Sequence, residues 1–137
     1  MYNYIYDKNV MNKTGEMNTN INVYSPYEGF VKGTLFKTLY QPYKNFEPGK
    51  LSATTEREKE LLCVMMYYAG LHDLGLYLNV YPEDKEALKL RNEYYEKYMV
   101  SKKEFEMNNS PIGWDCKYPV EKGFTFATTP FQWEVKR

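Results

Sequence analysis

His72 is the only imidazole in the chain, and it stands directly beside Asp73. A histidine oriented by a carboxylate makes a general base, and thiols at Cys63 and Cys116 are ligands a zinc ion would take. The spacing defeats both chemistries. Adjacent residues on a helix point about 100° apart, so His72 and Asp73 do not meet across one cleft. Cys63 precedes His72 by nine residues, more than two helical turns, and Cys116 approaches either only through the tertiary fold. Two cysteines and one histidine also leave a tetrahedral zinc site without its fourth strong ligand. Gly29 and Gly33 lack the spacing, and the following Lys-Ser/Thr, of a phosphate-cradling loop. The acidic groups Glu56/Glu58/Glu60 and Glu83/Asp84/Glu86 fall where helices begin, where carboxylates complement the positive dipole end. Residue chemistry therefore predicts no enzyme and no catalytic, cofactor-binding or metal-ligating residue. His72 and Asp73 are each expected to bond something at an interface.

The element that carries this pair is the more telling feature. Leu61 to Leu78 reads LLCVMMYYAGLHDLGLYL, with His72 and Asp73 as its only strongly polar side chains. A helix that is apolar almost all round must be buried almost all round. Leu61, Met65, Tyr68, His72 and Gly75 form one stripe, and Leu62, Met66, Ala69, Leu76 and Val80 another. Val64, Leu71, Leu74 and Leu78 populate most of the remainder. Thr55 with Glu58 fits a capping box at the start of this helix. Pro82 is expected to preorganise the first turn of a second helix, with Lys97, Lys102 and Lys103 toward its negative end. Ala87, Leu90, Tyr94, Tyr98 and Phe105 give that helix one ordinary apolar stripe. About three residues separate the two patterns, so they fold back on each other. The expected fold is all-α: an antiparallel two-helix hairpin, about 56–79 and 83–107, flanked by extended aromatic arms.

Four segments follow: an expected flexible, polar tail over residues 1–22, an extended arm over 23–50, the hairpin over 51–109 and an aromatic C-terminal arm over 110–137. Pro26, Gly29, Gly33, Pro42, Pro48 and Gly49 forbid a long helix in the first arm, and a short helical turn fits Thr34–Tyr40. Trp114, Tyr118, Phe124, Phe126, Phe131 and Trp133 make the second arm aromatic. With 18 basic and 18 acidic residues the chain is neutral, which argues against nucleic acid or an anionic membrane as partner. Tyrosine, at 15 of 137 residues, adds contact area with few rotatable bonds and suits surfaces that become interfaces. The N-terminal residues carry no apolar signal-peptide core, so cytoplasmic synthesis with free thiols is expected. A membrane span is not: Asp73 at mid-bilayer would cost roughly 2.5–3.5 kcal/mol.

Two stretches resemble known proteins. Asp73, Leu76, Tyr77, Leu78, Pro82, Asp84, Ala87 and Leu88, with Thr129-Pro130-Phe131-Gln132-Trp133-Glu134 at the end, resemble the JB-type spore coat proteins of the CotJ group over residues about 55–134. Tyr81 stands where that pattern has histidine, Asn79 where an acid is common, and Phe131 where a second Trp is typical. Gly33 to Phe36, Leu39, Tyr40, Pro42 and Tyr43 resemble the JA-type coat protein over about 25–43.

The resemblance implies a non-enzymatic structural component of the bacterial spore coat, made in the mother-cell cytoplasm. It also implies assembly with the group's third member, a manganese-catalase-like coat protein; the under-covered face of the first helix is expected to dock onto that protein or onto a second copy of the chain. An accessory subunit that stabilises or regulates a manganese catalase is the alternative. In this reading the helix face Val64, Leu71, Leu74, Tyr77 and Leu78 meets the partner. Phe36 and Tyr40 of the first arm and Trp114, Phe131 and Trp133 of the second join it.

Overall fold

A hydroxyl and a carboxylate set the start of the longest element. Thr55 Oγ1 accepts from the Glu58 N–H at 3.2 Å while Glu58 Oε2 accepts from the Thr55 N–H at 3.1 Å, completing the expected capping box. In this computed structural model, which describes residues 21–130, the helix that follows runs Glu56–Val80. Two others accompany it, Pro26–Lys32 before and Lys85–Asn108 after. In chain order they are α1 (Pro26–Lys32), α2 (Glu56–Val80) and α3 (Lys85–Asn108). Short 3-10 turns lie at Lys37–Leu39 and Val120–Lys122. There is no strand among the described residues, only an isolated antiparallel bridge between Val23 and Phe36. The chain is all-α, and α2 and α3 form the antiparallel hairpin.

The ends of α3 differ from expectation. Pro82 lies in the connecting turn, and Asp84 is the cap, its side chain accepting from the Ala87 N–H at 3.0 Å. A short side-chain acceptor is the better helix start because it satisfies an orphan backbone donor, which proline cannot do. At the other end α3 continues past Lys102 and Lys103 to Asn108, so no basic residue sits in its last turn. Asn109 closes it instead, donating from its backbone N–H and from Nδ2 to the Phe105 carbonyl.

Within the first arm, α1 is a helix that its proline and glycine content did not announce. Ser25 Oγ accepts from the Glu28 N–H at 3.3 Å and Pro26 takes the first turn, where its missing N–H costs nothing. Gly33, at φ 81°, ends the helix in the left-handed region. Gly29 then lets the chain fold back: a Cβ there would stand 3.1 Å from Leu35 Cδ1 and 3.2 Å from its Cα.

Leu35 is thereby delivered into the core, beside Cys63, Met66, Tyr67 and Leu74 of α2 and Leu90 and Tyr94 of α3. The architecture has three layers, arm on α2 on α3. The α2–α3 seam is tight at Gly70, where a Cβ would run into the Tyr94 ring. At the open end of the hairpin the buried Glu60 carboxylate accepts from Asn108 Nδ2 at 2.9 Å and from Asn109 Nδ2. That pins the start of α2 to the end of α3.

Candidate partner interface

Asp73 has a definite task. Its Oδ2 accepts the Leu35 backbone N–H at 3.0 Å, tying the first arm to the middle of α2. A buried loop amide needs such an acceptor, and a helix can offer one only from a side chain. His72, one residue earlier, points to solvent. The two neighbours thus lie on different sides of α2, and they divide its surface: Asp73 marks the line covered by the arm, His72 the line left open.

The expected interface residues separate along the same division. Val64 and Leu74 are buried within the molecule, which corrects their assignment to a partner face. Leu74 belongs to the core cluster formed by α2, α3 and Leu35, and Leu71 packs half-buried against it. Tyr77 is half-buried, its ring stacked on Phe36 at 5.0 Å and its hydroxyl donating to Asp84 Oδ2 at 2.7 Å. Phe36 is therefore also engaged internally. Leu78 is half-buried, and Tyr40 meets Tyr24 edge-on at 6.3 Å, with Lys32 Nζ 4.8 Å from its ring. Trp114 is 72% exposed. Phe131 and Trp133 lie outside the described residues.

What the sequence reading missed is the face actually left bare. Met65, Tyr68, Leu76 and Val80 of α2 expose 44%, 55%, 54% and 67% of their surface, with His72 among them. Tyr68, His72, Leu76 and Val80 follow one another at intervals of four, which makes a single ridge along the helix. The ridge carries no charge, since Asp73 is the only charged residue between Leu61 and Val80 and it faces the arm. A signal for it did exist. In an otherwise greasy helix, the exposed polar residue marks the side that meets water, and His72 sits at the centre of this ridge.

Burial dominates the electrostatics around the seam. Burial, followed by the nearby Glu104 and Glu60, pushes the Cys63 thiol up to about 11, which keeps it protonated and inert at neutral pH. Burial likewise pushes Tyr67 up to about 12. Among the described residues no three His, Cys, Asp or Glu side chains converge as metal ligands would. A second surface feature is a groove of about 770 Å³ between the end of α3 and the C-terminal arm, lined by Met99, Val100, Met107 and Tyr118 among others.

The comparisons with known proteins cover most of the chain. A family model described as "CotJB protein" matches residues 58–134, taking in α2, α3 and the C-terminal arm. A second, described as "Spore coat associated protein JA (CotJA)", matches residues 19–43, taking in α1 and Leu35. No curated protein and no solved structure matches the chain.

Proposed function

The chain belongs to the CotJB protein family, and from that premise we propose that it is a non-enzymatic assembly component of the bacterial spore coat. In this reading it docks onto a second copy of itself or onto a manganese-catalase-like coat protein. One observation carries the reading. After α3 and the first arm have covered two sides of α2, a third, uncharged side remains open. Leaving four large apolar side chains half in water forgoes stabilisation of about 1 kcal/mol or more apiece. A soluble helix with no partner would carry polar residues there.

The two family segments support the same view by the way they join. The part that matches CotJA contributes Leu35 and Phe36, and the part that matches CotJB contributes Asp73, Leu74 and Tyr77. They share one core and the Leu35–Asp73 hydrogen bond. The assembly unit is thus a fused pair whose inner contact is already made, leaving the far side of α2 for outside partners.

Coat extracts of spores with and without this chain give the test. The chain is expected in the coat fraction, and its removal is expected to lower the amount of catalase-like protein retained there. Absence of the chain from coat extracts would remove the proposal. Adding purified chain to the catalase-like protein is expected to leave peroxide turnover unchanged; a change in turnover would favour the regulatory alternative instead.

A further inference from the structure

We propose that the open ridge of α2 pairs with the same ridge of a second copy, antiparallel, about a two-fold axis beside His72. The inference rests on the assembly reading above and names its partner. A two-fold interface is self-complementary, so residues on either side of the axis must suit each other at equal distances from it. The ridge meets that condition. Tyr68 and Leu76 lie four residues to either side of His72, and Met65 and Asn79 seven to either side, with Val80 next to Asn79. All of these side chains are exposed. Pairing would place each Tyr68 against Leu76 of the other copy and each Met65 against Asn79 and Val80.

Three further features favour a copy over another occupant. Neither copy brings a charge to the contact, and the chain as a whole is neutral, so no like-charge repulsion opposes the encounter. Gly75, on the flank of the ridge, has open space where a Cβ would be, which lets a second helix approach closely. The exposed surfaces of Met65, Tyr68, Leu76 and Val80, with those of His72 and Asn79, amount to roughly 500 Å² per copy. A pair that covered all of it would remove about 1,000 Å² from water, the size at which specific association begins.

Sedimentation equilibrium of the purified full-length chain, over a dilution series, reads the pairing directly. The wild type is expected to behave as a dimer. Tyr68→Glu/Leu76→Glu places carboxylates against carboxylates and is expected to raise the dissociation constant at least a hundredfold. Tyr68→Lys/Leu76→Glu places each lysine against a glutamate of the other copy and is expected to retain the dimer. Both substituted positions lie on the exposed ridge, and unchanged helical circular dichroism verifies the fold.

A monomeric wild type overturns the pairing, as does dimerisation that survives in both variants. Dissociation of both overturns the antiparallel register. A monomer that uses the ridge to bind the catalase-like protein, or to float with phosphatidylcholine vesicles, assigns the ridge to that occupant and also overturns it. These outcomes leave the coat reading standing. A dimer of the expected register in a chain missing from coat extracts overturns the coat reading alone.

Discussion

Tyr94 concentrates the residue-scale demands of this fold. Its ring fills the space that Gly70 leaves open, and it is fully buried. Adding a methyl group at position 70 would force the ring or the helix aside. Gly70→Ala is therefore expected to destabilise the protein by about 1–3 kcal/mol, read as a fall in denaturation midpoint; an unchanged midpoint would mean the seam is looser than described. Among the described residues the Tyr94 hydroxyl has no hydrogen-bond partner. Tyr94→Phe removes that desolvated group while keeping the ring, so stability is expected to hold or rise by about 1 kcal/mol. A large loss would show that the hydroxyl is bonded. The two cysteines should likewise differ: Cys63 is buried with its thiol pushed up to about 11, and Cys116 is partly exposed. Alkylation at neutral pH is expected to modify Cys116 alone until the protein is unfolded. Labelling of native Cys63 would contradict its burial.

At the scale of elements, the caps decide where helices start and how stability responds to acid. Ala87's N–H, then the Tyr77 hydroxyl, hold the Asp84 carboxyl below its ordinary 3.8. The charged cap therefore contributes stability above 3.8, and that contribution is lost as pH falls through the lowered value. Asp84→Asn is expected to flatten the acid side of a melting-temperature profile, and an unaltered slope would rule this out. Asp73 ties arm to hairpin, so Asp73→Ala is expected to cost about 1–3 kcal/mol. It should also raise amide exchange at Leu35 while α3 stays protected.

How much of this was legible follows from range. The Thr55–Glu58 box and the 3/4 spacing of Leu90, Tyr94 and Phe105 are local signals, and the hairpin followed from them. The cap at Asp84 was local too, but Pro82 offered a rival helix start, and only the Asp84–Ala87 bond decides between them. Whether Leu74 or Leu76 faces outward depends on where Leu35 lands. That contact spans 38 residues, and no period in α2 reports it.

Across the whole molecule, one helix is asked to serve three surfaces. α3 covers the first through the Gly70–Tyr94 seam, and the arm covers the second through Leu35, Phe36 and Asp73. The third is the ridge of Met65, Tyr68, His72, Leu76 and Val80. On the proposed reading, a protein built this way is an incomplete body whose remaining face belongs to an assembly, which suits a member of a coat family. Light-scattering mass of the purified full-length chain, alone and mixed with the manganese-catalase-like coat protein, tests this most directly. A second chain covering α2 predicts a mass well above the 16.4 kDa of one copy. A soluble species that stays at 16.4 kDa in both samples would contradict it.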